Sequence, residues 1–175
     1  MAKGLQDSSL TSVSPDGKDL LFGHNDILRQ PSEGEKKPEP YLQTKFRAGY
    51  GAFSPDGRWV AYQSDESGRF EVYIQGFPEH RGKWQISAEG GVHPQWRADG
   101  KELYWSGNGG SVMAAPVELQ VAAIKSGRPE LLFRSPAPVF ATLDGKRFLV
   151  SAPAGVEQQA LPMAVVTNWA AGLAK

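Results

Sequence analysis

Four Asp-Gly dipeptides, each set between two short apolar runs, recur along this chain of 175 residues. The segments that contain them are SVSPDGKDLLFG (12–23), AFSPDGRWVAYQ (52–63), QWRADGKELYWS (95–106) and FATLDGKRFLVS (140–151). Their Asp residues lie 40, 43 and 45 positions apart. Glycine tolerates positive φ, and aspartate bonds to nearby backbone groups. An Asp-Gly pair between apolar runs therefore predicts a strand, a tight turn and a second strand.

A period of this length with a hairpin in each unit is typical of a β-propeller, in which each repeat forms a four-stranded blade. The 20 glycines and 13 prolines fit a chain rich in tight turns. We therefore predict an all-β fold, a single partial β-propeller of about four blades over residues 1–175. The predicted blades span residues 9–43, 48–87, 92–133 and 137–168, and the last blade is incomplete because it lacks its outer strand.

The ends of this array are predicted to be open. Residues 3–9, which would have to supply the missing strand, are short and polar. Residues 169–174 (WAAGLA) are expected to form one closing helical turn. Open blades expose edges and faces that proteins usually cover. We therefore expect self-association, as a homodimer through exposed blade edges or faces.

Composition narrows the classes of partner. The chain has 19 basic and 19 acidic residues, so no net field attracts it to nucleic acid. No apolar stretch approaches the ~18 residues of a transmembrane helix, so we predict no membrane insertion. The first residues lack the apolar core of a signal peptide. Without cysteine, the sequence leaves the cellular compartment open.

Two segments, VHPQWRADGKELYW (92–105) and FSPDGRWVAYQSDESGRFEVYI (53–74), resemble the WD40-like (PD40) repeat of TolB-like propellers. More narrowly, SPDGRWVAYQSDESGRFEVYIQGFP, GKWQIS and the terminal VVTNWAAGLAK resemble the C-terminal propeller of bacterial serine/threonine kinase fusions. The resemblance covers most of residues 10–170. It departs at Arg97-Ala98 and Thr142-Leu143, where Ser-Pro is usual. It implies a sensory or binding role, in a family whose members are often periplasmic or extracytoplasmic.

Motifs for catalysis are absent from the sequence. There is no Gly-x-Ser-x-Gly nucleophile motif, and the GNGG run (107–110) lacks the Lys-Ser/Thr of a phosphate loop. The three histidines, His24, His80 and His93, lie in different repeats, and turn geometry accounts for the repeated Asp residues without calcium. We predict that the chain is not an enzyme and has no cofactor and no metal site.

The candidate ligand-binding residues lie on the links that lead into the strand before each Asp-Gly turn. In this repeat type that strand is innermost, so the links 47–50, 90–93 and 136–138 should lie at the channel mouth. We predict that Arg47, Tyr50 and His93 contact a ligand there, since they offer a guanidinium fork, a hydroxyl-bearing ring and a group that titrates near neutrality. The alternative is that they are ordinary loop residues.

The predicted function is a non-catalytic binding or interaction module that contacts a protein or a small-molecule ligand at the axial channel face. The alternative is an accessory propeller fragment, sensory or substrate-gating, of a larger kinase or peptidase whose catalytic domain is absent. A third hypothesis is a small hydrolase with a site built across blades.

The sequence also predicts where four tryptophans and one long link between strands lie. Trp59, Trp84, Trp96 and Trp105 are predicted to pack between blades, because each falls at an inward position of a strand. The segment 118–129 (ELQVAAIKSGRP) is expected either to pack locally or to contact a partner.

Overall fold

The computed structural model describes residues 9–23, 25–34, 37–121, 123–141 and 147–150, and the backbone of 165–167. Within these ranges, strands β1 to β16 form four antiparallel sheets. The first sheet contains β1 (Leu10–Val13), β2 (Asp19–Gly23), β3 (Ile27–Pro31) and β4 (Glu39–Leu42). The second contains β5 (Ala48–Phe53), β6 (Trp59–Ser64), β7 (Glu71–Gly76) and β8 (Lys83–Gln85). The third contains β9 (Val92–Trp96), β10 (Glu102–Ser106), β11 (Ser111–Leu119), β12 (Ile124–Ser126) and β13 (Glu130–Arg134), and the fourth β14 (Val139–Ala141), β15 (Arg147–Val150) and β16 (Val165–Thr167).

Each sheet is one blade of a propeller. The strands of the first and second sheets are hydrogen-bonded in chain order, and the third adds β12 beside β11. The fourth sheet has three strands among the described residues. The predicted all-β, partial β-propeller is therefore confirmed. The Asp144 turn, most of the segment 3–9 and the expected helical turn at 169–174 lie outside the described residues.

The core consists of three apolar clusters, one between each pair of neighbouring blades. Residues of the first and second blades make one cluster, residues of the second and third another, and residues of the third and fourth the last. The second blade supplies residues to two clusters, so all of β6 is buried. Burial therefore does not alternate along β6, because neighbouring blades cover both of its faces.

The four tryptophans of the described residues pack between blades, as predicted. Trp59 and Trp105 are buried, and Trp84 and Trp96 are half-buried against the same cluster between the second and third blades. The ring centroids of Trp59 and Trp84 lie 5.4 Å apart in an edge-to-face contact. Aromatic pairs favour this geometry because the positive ring edge meets the negative ring face.

The Asp-Gly turns of the first two blades share one set of hydrogen bonds. In the second blade the Ser54 hydroxyl donates to Asp56 Oδ1 at 2.6 Å and accepts the Trp59 N–H at 3.1 Å. Gly57 then adopts a φ of 69°, which costs glycine little because it has no Cβ. The first blade repeats these bonds with Ser14 and Asp16.

The third blade replaces this serine with Arg97, the departure noted in the sequence. Its Nε and Nη2 donate to the two oxygens of Asp99 at 2.7 and 2.9 Å. The Lys101 N–H donates to Asp99 Oδ1 as well, at 3.0 Å. These bonds to the charged form lower the pKa of Asp99 to about 2. In this turn the Asp99 carboxylate therefore binds a guanidinium, whereas in the first two blades the Asp carboxylate binds a serine hydroxyl.

The segment 118–129 packs locally through an added hairpin. Strand β11 continues to Leu119, and β12 returns beside it, pairing Leu119 with Ile124 and Val117 with Ser126. Ile124 is buried in the cluster between the second and third blades. At the tip of the hairpin, the Val121 side chain is 88% exposed.

Candidate functional site

The innermost strands of all four blades border one cavity of about 410 Å³. Strands β1, β5, β9 and β14 each contribute part of its wall, so the cavity lies at the propeller axis and is called the axial channel below. Its lining is Ser9, Leu10, Thr11, Tyr50, Gly51, Ala52, His93, Pro94, Gln95, Ser106, Pro138, Val139 and Phe140. None of these lining residues is Asp, Glu, Lys or Arg.

A β-bulge interrupts the pairing of β1, β5 and β9 near the same repeat position. The register shifts between Leu10 and Ser12 on β1, and between Gly49 and Ala52 on β5. On β9 it shifts between the partners of Tyr104 and Ser106. Bulges turn side chains out of the regular alternation of a strand. They are the local reason that these strands present side chains to the axis.

Tyr50 and His93 occupy the bulges of β5 and β9, each six residues before the Asp of its turn. Their φ angles are 53° and 54°, in the left-handed region that large side chains rarely adopt. Such strain persists only where the surrounding structure imposes it, and it clusters at functional sites. The same repeat position holds Leu10 in the first blade and Pro138 in the fourth, and both also line the channel.

The rings of Tyr50 and His93 meet across the boundary between the second and third blades. Their centroids lie 4.2 Å apart in an edge-to-face arrangement. The His93 N–H donates to the Oε1 of the buried Gln63 at 2.9 Å, which ties the bulge of β9 to the second blade. The structure thus brings together two of the three predicted residues, at one cavity.

Arg47 lies apart from this pair. Its Nε donates to Asp65 Oδ2 at 2.8 Å, and its guanidinium stands 4.9 Å from the centroid of the Phe70 ring. The hydrogen bond from Arg47 lowers the pKa of Asp65. Arg47 is held by these contacts with its own blade, and it is not among the channel-lining residues. It therefore does not form one site with Tyr50 and His93.

Gln95 and Phe140 line the channel but were not among the predicted residues. Gln95 lies two residues beyond His93, and its side chain binds the backbone of the fourth blade: Nε2 donates to the Val139 carbonyl at 3.0 Å, and Oε1 accepts the Ala141 N–H at 2.8 Å. The repeat alignment could have predicted both residues, because strands at equivalent repeat positions line the same axis.

Metal sites and membrane-spanning helices are both missing from the described ranges. These ranges contain no group of three or more His, Cys, Asp or Glu residues close enough to hold a metal ion. Over the same ranges, no helix has the length and apolar character needed to cross a membrane.

Comparison with solved structures identifies proteins that share this architecture. TolB from Acinetobacter baumannii superposes with a TM-score of 0.62 at 17% identity, over 85% of this chain and 38% of that one. The fold is that of a TolB-like β-propeller. A protein assigned as TolB from Agrobacterium tumefaciens gives a TM-score of 0.55 at 20% identity, over 72% of this chain and 49% of that one.

The TolB-like fold also occurs in an enzyme. An oligogalacturonate lyase in complex with manganese gives a TM-score of 0.54 at 15% identity, over 76% of this chain and 41% of that one. No family model matches the sequence, and no curated protein matches it either. The chain spans less than half of the length of each of these three structures.

Proposed function

We propose that the chain is a non-catalytic binding module that takes a protein segment or a small molecule at its axial channel. The observation that carries this proposal is the placement of Tyr50 and His93. Both hold a strained left-handed conformation, both border the same cavity, and their rings are in contact. Backbone strain of this kind clusters at active sites and ligand clamps, which supports a binding site at this pair.

The channel lining indicates the chemistry of the ligand. Leu10 and Phe140 are large apolar residues with more than half of their surface exposed. Tyr50 and His93 add ring faces and polar atoms that can hydrogen-bond to a ligand. Because the described lining residues include no acidic or strongly basic side chain, the channel suits an uncharged group with an apolar or aromatic part.

The alternative, an accessory propeller fragment of a larger kinase or peptidase, rests on the sequence resemblance to kinase-fused propellers. An enzymatic role is the competing class, since a lyase shares the fold. We favour binding because the sequence carries no nucleophile motif and the described residues gather no metal-binding group.

Substitution of the channel pair should abolish most ligand binding while the fold is retained. The test is a screen of small uncharged aromatic fragments by NMR, followed by titration against wild type, Tyr50→Ala and His93→Gly. We expect about tenfold or greater weakening in both variants, since each removes a ring that borders the cavity. Glycine at 93 accepts the positive φ, so this variant should keep its stability.

Arg47→Ala is the matched control, because Arg47 lies on the same link as Tyr50 but outside the channel. Its fragment affinities should stay within about twofold of wild type. Fragments that bind all four proteins equally, or a library without a single channel binder, would contradict the proposal.

We further propose that two copies of the chain associate through exposed blade faces. Phe140 and Leu149 are directly paired across β14 and β15, and are 53% and 39% exposed. At the other end of the array, Leu10 and Val13 of β1 are exposed as well. In the three interfaces within the chain, such apolar faces are covered by a neighbouring blade, so a second copy is the occupant that repeats this packing.

Light scattering on a size-exclusion column tests this association. We expect a mass close to twice that of one chain, and a single-chain mass for the double variant Phe140→Ser/Leu149→Ser, which removes the apolar face. Val121→Ser is the control, because Val121 is exposed at the β11–β12 hairpin tip, outside the fourth blade. A wild-type mass equal to one chain would rule out the dimer.

A further inference from the structure

A second cavity, of about 710 Å³, lies between the second and third blades. The link after β8, the 3-10 turn at Asn108–Gly110 and the start of β13 form its walls. It shares no lining residue with the axial channel. Its volume falls within the ~300–1,000 Å³ typical of ligand pockets. It is called the lateral groove below.

Three arginines line the lateral groove, in a chain whose total charge is balanced. Arg69 binds the buried carboxylate of Glu71 through Nε at 2.7 Å. Arg134 donates from Nη1 to the Gly109 carbonyl at 3.0 Å, which ties its guanidinium to the 3-10 turn at the groove wall. Among the described residues, neither Arg128 nor Arg134 forms an ion pair with a carboxylate. Glu89 is the one acidic residue in the described lining, so the groove has a net positive charge.

Apolar side chains lie beside these cations. Met113 and Leu131 line the groove, and Leu131 is exposed to solvent. Trp105 contributes to the same wall although it is almost fully buried. Its indole Nε1 has no hydrogen-bond acceptor within the described ranges, which is uncommon for a buried donor.

We propose that the lateral groove binds an acidic peptide segment that carries an apolar side chain. The guanidinium groups of Arg128 and Arg134 offer paired N–H donors that match carboxylate geometry. Met113 and Leu131 cover an apolar side chain between those carboxylates. A free inorganic anion would use the cations alone. A peptide uses both the charge and the apolar wall, and this combination favours a peptide over an anion.

The test titrates the isotope-labelled chain with a pool of hexapeptides that have two acidic residues on each side of a variable apolar pair. We expect amide shifts at Gly107–Ser111 and Leu131, and little change at Tyr50 and His93. A matched pool with Gln and Asn in place of the acidic residues should bind at least about tenfold more weakly, since it lacks the charges. Raising the salt concentration should weaken binding by the acidic pool, because exposed charges are screened.

Two charge reversals assign the binding to the groove. The variant Arg128→Glu/Arg134→Glu should lose about tenfold or more in affinity for the acidic pool. Arg81→Glu makes the same kind of change at an exposed residue outside the groove and should retain binding. Tyr50→Ala should also retain it, which separates this site from the axial channel. The proposal fails if the groove amides do not shift, if the neutral pool binds equally, or if the Arg128/Arg134 variant binds like wild type.

Discussion

Replacement of Glu71 by alanine is expected to lower the free energy of unfolding by about 3 kcal/mol. Glu71 is 1% exposed, and its carboxylate accepts hydrogen bonds from Arg69 Nε at 2.7 Å, from the Gly90 N–H at 3.0 Å and from the Ser87 hydroxyl. The Ser87 hydroxyl in turn accepts the Val72 N–H at 2.8 Å. Truncation removes the shared acceptor and leaves these donors unsatisfied beside a new cavity.

Urea denaturation of wild type, Glu71→Ala and Glu71→Gln measures this effect. The glutamine variant keeps the shape and one acceptor oxygen, so its loss should be about 1 kcal/mol. Glu66→Ala is the contrasting control, because the 2.8 Å pair of Glu66 with Lys83 is partly exposed and should contribute less than about 1 kcal/mol. If Glu71→Ala unfolds at the wild-type urea concentration, this network does not anchor the link between the second and third blades.

The turns and blades were predictable because their signals are local. Gly57 has positive φ, and Ser54 and Asp56 close the turn with bonds inside one short segment. Such chemistry is visible in any window of a few residues. The burial of every residue on β6 could not be predicted in this way, because it depends on which blades lie on either side of the strand.

The candidate site was predictable in part for the same reason. The repeat places Tyr50 and His93 on the links to the innermost strands, and both line the channel. Their left-handed φ has no local signal, since glycine and asparagine are the usual residues in that region. Arg47 lies on the same link, but its contacts with Asp65 and Phe70 come from distant parts of the sequence.

Polar bonds between neighbouring innermost strands recur four residues before the Asp of the first three turns. In the first blade, the Ser12 hydroxyl accepts the Phe53 N–H at 3.1 Å. In the second, the Ala52 carbonyl accepts from Trp96 Nε1 at 3.1 Å. In the third, Gln95 binds β14 through both ends of its amide. One repeat position therefore couples each of the first three blades to the next one.

Gln95→Ala is expected to loosen the fourth blade and leave the other blades folded. The side chain makes two hydrogen bonds to β14, and their loss should lower the free energy of local opening by about 2 kcal/mol. Within one chain, a terminal unit of a repeat array packs against a single neighbouring unit, so the change should remain local. Amide hydrogen exchange should become about 30-fold faster at Phe140 and along β15, and stay at wild-type rates along β6 and β7.

Gln85→Ala is the matched control for this local effect. The Gln85 amide donates to the Ser87 carbonyl at 2.8 Å within the second blade, so the same truncation breaks no bond between blades. It should leave the exchange rates of β14 and β15 unchanged. Faster exchange in all four blades of the Gln95→Ala protein would mean that the propeller opens as one cooperative unit. Because Val139 and Phe140 also line the channel, confined loosening of β14 would weaken fragment binding there without unfolding the chain.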